Sequence, residues 1–308
     1  MSVYEQIKDK FIMKHAREDW AKYRTQLSEM ILDMNPESVM IVGAGRCNDI
    51  DLARLTEALD MVVLLDVDSE AMNAAVKLIP EKERAKVECV ETSLTGISEE
   101  DMERLCEGLL NYARTTGRNL TYDGFRERLM AELDRLSESM IQSEEELLKS
   151  MVQSKAELMR RMNKNEEELP ERFQREKVDV LVCSGVHSQL FSMLSFFIRS
   201  VISSLADIIP DAKSLEEEAG RRIHDMNNRI IPIINSVLYR NASKAVIFGN
   251  EYMPESPVEG AHQCILNVRD NYSPIERTLE WEFNREAGVK YDMLIQICKK
   301  GKLMPDSG

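Results

Sequence analysis

The chain has 308 residues, 43% of them apolar and 31% charged, with a formal net charge of −14. That balance reads as a soluble globular protein and not as a disordered chain. The excess of acid argues against DNA as a partner, since nucleic-acid binders usually carry a basic face. The most apolar run, residues 192–210, includes Arg199 and Asp207, so it reads as a buried helix and no membrane contact is expected.

The N-terminal stretch is charged throughout and shows no secretion signal, and a cytoplasmic location is expected. Residues 3–34 read as helical, with Ile7, Phe11, Trp20, Tyr23, Leu27 and Ile31 recurring at helical spacing and Asn35-Pro36 ending the run. Ser38 to Val42 is a short apolar run that enters the glycine turn Gly43-Ala44-Gly45, as a buried parallel strand does. A helix over 49–58 follows, then a second buried strand over 61–67, a helix over 69–79 closed by Pro80, and a third strand over 87–92. Strand-helix-strand order of this kind implies a doubly wound, mostly parallel sheet with right-handed crossovers.

From Ser98 to Lys177 no strand is expected. Leu133, Met140 and Leu147 are spaced by seven, as are Met151 and Leu158, which suggests two or more helices, one of them long. Such an insertion can pack on the sheet, or on a second copy of the chain, or wall the site. The α/β pattern resumes with a strand over 178–183, helices over 189–209 and 215–239, and a strand over 244–249. Two alternating segments, 279–284 and 291–299, flank a short turn containing Gly288 and read as an antiparallel hairpin at the sheet edge. The expected divisions are an N-terminal helical cap (1–35), the two halves of an α/β domain (36–97 and 178–308), and a helical insertion between strands three and four (98–177).

The chemistry is expected at the glycine turn. A tight turn after a parallel strand leaves backbone N–H groups for a ligand at the carboxyl ends of the strands. Asp66 ends the second strand, 21 residues after Gly45, where a carboxylate can take both hydroxyls of a ribose. Gly43, Gly45 and Asp66 therefore suit an adenosine-containing ligand. The third glycine of a dinucleotide fingerprint is replaced by Asn48, which counts against a nicotinamide cofactor. The six cysteines form no CxxC pair and the four histidines are scattered, so free thiols and no metal site are expected.

These features resemble the class I S-adenosylmethionine-dependent methyltransferases, over about 36–95 and 177–300. The resemblance implies a seven-stranded sheet closed by an antiparallel hairpin. It places Gly43, Ala44 and Gly45 on the GxGxG motif after the first strand, Asp66 with Val67 at the ribose, and Ser93 with Leu94 at the adenine. Ser184, Gly185 and His187 fall on the segment after the fourth strand. S-adenosylmethionine is the expected cofactor and S-adenosylhomocysteine its product. The chain departs from the pattern at Ile41, Cys47 and Ser93. Asp49 and Asp51 are each candidates for the methionine amino group, or for acids at the start of the following helix that complement its dipole.

Methyl transfer from a sulfonium is a displacement in which positioning supplies much of the rate, and a base is needed only where the acceptor must lose a proton. His187 is the candidate catalytic base. His15 and Tyr23 reach the site if the N-terminal helix caps it, and Tyr252, with Asn250 and Glu251 beside it, is a candidate wall. A small-molecule acceptor is expected, and a homodimer through the helical insertion is a reasonable assembly. The alternatives are a non-catalytic protein of the same fold that serves binding or dimerisation, and an NAD-dependent oxidoreductase.

Overall fold

The computed structural model describes residues 13–151, 177–206 and 211–300. Its centre is a seven-stranded sheet in the order β3-β2-β1-β4-β5-β7-β6. The strands are β1 (Ser38–Val42), β2 (Met61–Asp66), β3 (Val87–Glu91), β4 (Val178–Ser184), β5 (Ala242–Glu251), β6 (Ile275–Asn284) and β7 (Val289–Lys299). The pairs β1–β2, β2–β3, β1–β4 and β4–β5 are parallel. β7 runs antiparallel between β5 and β6, so the hairpin closes the sheet and β6 is its edge. This is the class I methyltransferase α/β fold.

Alternate residues of the inner strands feed two cores. Val62 and Leu64 of β2 point to one face with Ile41, Val182 and Ile247, whereas Met61, Val63 and Leu65 point to the other with Val42, Cys183 and Phe248. Burial on both faces explains why β2 reads as an unbroken apolar run. Each fully buried Val or Leu contributes roughly 1.5–3 kcal/mol of transfer free energy.

One face is covered by α2 (Ala21–Leu32), α3 (Leu52–Ala58) and α4 (Ser69–Lys77). Asp51 caps α3, its carboxylate accepting the Arg54 N–H at 3.2 Å, so its structural role is settled. The helix expected to begin at Asp49 therefore starts at Leu52. The short helix α1 (Ala16–Asp19) precedes α2, and residues 1–12 of the expected N-terminal helix lie outside the described residues.

The other face carries α5 (Glu99–Thr116), α6 (Tyr122–Ser139), a helix α7 described over 144–151, α8 (Ser192–Ser204) and α9 (Ala212–Asn241). A reciprocal Ser98–Asp101 capping box starts α5. The seven-residue spacing at Leu133, Met140 and Leu147 belongs to no continuous helix, because α6 ends at Ser139. All three residues are buried in the core over the sheet instead. Leu158 lies outside the described residues. The longest described helix is α9, on the opposite side of the fourth strand from the expected long one.

A helix not expected from the sequence, α10 (Ala261–Tyr272), follows β5. Gly260 precedes it with φ +80, and a Cβ there would lie 2.0 Å from the His187 carbonyl oxygen. No described helix is long and apolar enough to cross a membrane.

Candidate functional site

A cleft of about 1620 Å³ opens at the carboxyl ends of the parallel strands. Gly43, Asp66, Val67, Ser93, Leu94, Ser184 and Gly185, all expected at the site, line it. Ala44, Gly45, Asp49 and His187 do not. Helix α5 and its capping residues supply a further wall, and Ser150 of α7 reaches in, its hydroxyl 3.1 Å from that of Thr92. The described helices between β3 and β4 thus both pack on the sheet and wall the cleft.

The turn after β1 is built around left-handed backbone at Gly43 (φ +68), Gly45 (φ +46) and Cys47 (φ +52). Cys47 stands where the GxGxG motif has its third glycine, and it keeps the backbone conformation that a glycine adopts without cost. The motif's geometry survives the loss of its residue.

The amides of Gly43, Ala44, Gly45 and Cys47 are engaged within the protein, contrary to the sequence expectation that the turn leaves them for a ligand. The Gly43 and Ala44 N–H groups donate to the Leu65 carbonyl at 2.8 and 3.2 Å, and the Cys47 N–H donates to the Ala44 carbonyl at 2.7 Å. The Gly45 N–H donates to Asp66 Oδ2 at 2.9 Å, and the Asp68 N–H to Asp66 Oδ1 at 2.9 Å. Asp66 therefore ties the second strand to the glycine turn. The Val67 N–H is a third backbone donor to this carboxylate, so of its four acceptor positions one is left for a further partner. Burial raises its pKa, against the hydrogen bonds from Asp68 and Gly45.

Beyond Asp66, Val67 is 56% exposed in the cleft wall. The Ser93 hydroxyl is engaged in its own turn, donating to the Ile97 carbonyl at 3.2 Å and accepting the Gly96 N–H at 3.0 Å. Beside it, Val67 and Leu94 line the cleft. The rim is acidic, with Asp68, Glu70, Glu91, Glu99 and Glu100 against Arg46 and Lys77.

His187 does not face the cleft. It is 1% exposed, with Nε2 bonded to Asn235 Oδ1 at 2.9 Å and Nδ1 3.9 Å from Cys183 Sγ. Burial pushes its pKa down to about 4, partly offset by Asn235 and Asn250. A neutral imidazole sealed under α9 is a packing element, and the catalytic base expected there is corrected on that ground. His15 is exposed at the start of α1.

Tyr23 is buried and does not line the cleft, but it meets a residue that does. Its hydroxyl lies 2.7 Å from Ser184 Oγ, and Ser184 lines the cleft. Aromatic packing places it there. Tyr23 stacks on Trp281 at 5.5 Å between centroids, Trp20 meets Trp281 edge-on at 4.8 Å, and the Trp20 indole N–H donates to the Phe283 carbonyl at 2.9 Å. Each such pair contributes about 0.5–1.5 kcal/mol beyond its burial. Helix α2 is also tied to the glycine turn, because Arg24 donates to the Asn48 carbonyl at 2.8 Å and the Asp51 N–H donates to Ser28 Oγ at 2.9 Å. Asp49 sits under this helix. Burial raises its carboxyl to about 6, against its own backbone N–H and the charge of Arg24.

One residue that sequence reasoning noted only in passing stands out. Glu251, the last residue of β5, is 5% exposed, accepts the Ser188 hydroxyl at 2.8 Å through Oε1, and has no partner for Oε2. Burial raises its pKa. The available signal was a carboxylate at the carboxyl end of a strand, the same signal that found Asp66. Tyr252 points its backbone N–H at the Asp292 carbonyl, 2.7 Å away, and Asn250 is buried against Cys264. All six cysteines are free. Among the described residues no three His, Cys, Asp or Glu side chains are grouped as metal ligands.

No protein-family model matches this chain, and no curated protein does. Among solved structures, the N-methyltransferase NodS from Bradyrhizobium japonicum WM9 in complex with S-adenosyl-L-homocysteine is similar at 9% identity, over 98% of this chain and 100% of that one, with a TM-score of 0.41. The magnesium protoporphyrin IX methyltransferase from Synechocystis PCC 6803 with bound S-adenosylmethionine is similar at 9% identity over 96% and 88%, with a TM-score of 0.40. A S-adenosylmethionine-dependent methyltransferase from Aquifex aeolicus is similar at 10% identity over 96% and 98%, with a TM-score of 0.39. At these scores the likenesses add nothing to what the strand order itself shows.

Proposed function

We propose that this protein binds S-adenosylmethionine in the cleft and transfers its methyl group to a small-molecule acceptor. The observation that carries the reading is the glycine turn whose amides at Gly43, Ala44 and Gly45 are consumed, with the Asp66 carboxylate on the cleft wall at the end of β2 and one acceptor position left. A dinucleotide needs backbone N–H groups for its pyrophosphate, and this turn offers none at Gly43, Ala44 or Gly45. A ribose hydroxyl needs an acceptor, and Asp66 supplies one. The acidic rim favours a cationic ligand over one with two phosphates.

In this reading Asp66 holds the ribose and Val67 with Leu94 bracket the adenine. Asp49, beside the turn but not on the cleft wall, is the candidate for the methionine ammonium. S-adenosylmethionine supplies an activated methyl, so the chain's task is to bind, to orient the acceptor and to exclude water. Ser184, held by Tyr23, stands on the cleft wall where the acceptor would lie. A non-catalytic binding role is the second reading, favoured by the engagement of the Ser93 hydroxyl in its own turn.

Thermal unfolding with S-adenosylhomocysteine or NADH tests the proposal. A ligand at 100 times its Kd adds about 2.7 kcal/mol to the stability of the native state. A rise of several degrees with S-adenosylhomocysteine and none with NADH is expected. The reverse pattern refutes the proposal, and a response to neither favours the non-catalytic reading.

A further inference from the structure

The cleft changes character along the sheet. At about 1620 Å³ it exceeds the roughly 300–1,000 Å³ of a site for one small ligand. Its charged wall residues lie at or beyond the ends of β2 and β3, with Arg46 on the turn after β1. The segment after β4 instead puts Val186, Leu190, Phe191, Met193 and Leu194 on the wall, and no charged side chain. Met102 joins the same apolar lining where α5 packs against α8. In the strand order β4 lies across β1 from β2, so the apolar wall and Asp66 stand on opposite sides of the glycine turn. Val186 adjoins that turn, because a Cβ on Gly43 would lie 2.3 Å from its Cγ2. A ligand held at Asp66 that crosses the turn therefore meets the apolar end.

Two polar side chains interrupt this wall. Gln189 is turned to its neighbours, with Nε2 donating to Ser188 Oγ at 3.4 Å and Oε1 3.1 Å from the Ser192 hydroxyl. Ser184 is placed differently. The Tyr23 hydroxyl is buried and burial raises its pKa, so it keeps its proton and needs an acceptor for it. Ser184 Oγ, 2.7 Å away, is that acceptor. The Ser184 proton is then left for a lone pair in the cleft.

We propose that the methyl acceptor is an uncharged, largely apolar molecule with one polar heteroatom, its body on the wall of Val186, Leu190 and Met193 and its heteroatom at the Ser184 hydroxyl. This rests on the methyl-transfer reading above. Apolar area that leaves water for this wall favours the complex in proportion to its size. An ionised acceptor would leave its charge unpaired there, and an unpaired charge is costly to bury. One placed hydroxyl in an apolar wall fixes orientation, as the few polar groups of small-molecule sites do.

The test titrates the full chain, saturated with S-adenosylhomocysteine, with probes of nearly one size: 2-naphthol, 2-naphthoate and 2-naphthylmethylammonium. The naphthol is expected to bind at least about tenfold more tightly than either ion. Leu190→Lys puts a charge on the wall. It is expected to hold S-adenosylhomocysteine within about twofold of the wild type, as a site without shared partners does, and to reverse the preference so that the naphthoate binds more tightly than the naphthol. A merely structural disturbance weakens all the probes alike. Met193→Lys makes the same test if the first variant does not fold. Equal or tighter binding of either ion by the wild type, no binding of the naphthol, or a variant that keeps the wild-type preference or loses every probe alike each overturns the proposal. Failure to bind S-adenosylhomocysteine overturns the methyl-transfer reading itself, and with it this one.

Discussion

Acidification should unfold this protein partly through a single histidine. His187 is sealed beneath α9 with its pKa down to about 4, against an ordinary value of 6.5. A base whose native pKa is depressed adds stability above pH 6.5, and that stability is lost as pH falls from 6.5 towards 4. At pH 4.5 the unfolded chain is almost fully protonated at this residue and the native state is mostly not. The difference amounts to about 2.5 kcal/mol at 1.36 kcal/mol per unit. His187→Gln keeps a donor for Asn235 and removes the titration. Urea unfolding at pH 7.5 and 4.5 is the assay. The variant is expected to start less stable through imperfect packing, yet to lose about 2.5 kcal/mol less than the wild type between the two pH values. An equal loss in both proteins, or an imidazole titrating near 6.5 by NMR, refutes the buried neutral histidine and restores it as a candidate base.

The acids of the site should behave oppositely. Asp49, pushed up to about 6, favours the native state only while protonated, so that contribution is lost as pH rises from about 4 to 6. Asp49→Asn is therefore expected to be more stable than the wild type at pH 7.5, by about 1–3 kcal/mol, and equal to it near pH 4; no gain at pH 7.5 on urea unfolding contradicts the burial argument. Gly43→Ala should cost about 2–4 kcal/mol, because its Cβ would lie 2.3 Å from Val186 Cγ2 at φ +68. Gly288→Ala, also at positive φ (+66) but with nothing within 4 Å, should cost only about 1 kcal/mol; equal costs at the two glycines would show that the close packing of Val186 on the turn is not real.

Much of the architecture was legible because the parallel strands are buried on both faces. Their apolar runs, ended by Gly43 and by Asp66, allow little else. The hairpin was legible from alternation, since β6 has a wet face. Helix α10 escaped notice although Ala261, Cys264, Ile265 and Val268 share a face and Gly260 precedes them, because the intervening polar residues blur a short amphipathic pattern. The heptad spacing in the insertion misled for a related reason. Leu133, Met140 and Leu147 are all buried, but the chain turns between them.

At the site, residue type and strand-end position found Asp66, and Tyr23 followed from the guess that the N-terminal helix is a cap. What could not be read was orientation. His187 and Ser184 are three residues apart at the end of one strand, yet one faces the core and the other the cleft. The expectation that the glycine turn offers its amides was reasonable from composition, and it fails because the Leu65 carbonyl and the Asp66 carboxylate reach them first. Partners from another strand are invisible in a local motif.

Titration calorimetry of S-adenosylhomocysteine into the wild type and into Asp66→Asn, side by side, bears most directly on the cleft. One ribose hydroxyl on this carboxylate, worth about 1.5–3 kcal/mol to a charged acceptor, sets the expected loss. One-to-one binding to the wild type, weakened at least about 10-fold in a variant that unfolds with normal cooperativity, is the predicted result. Equal affinity in the two proteins would contradict an adenosyl site at the end of β2.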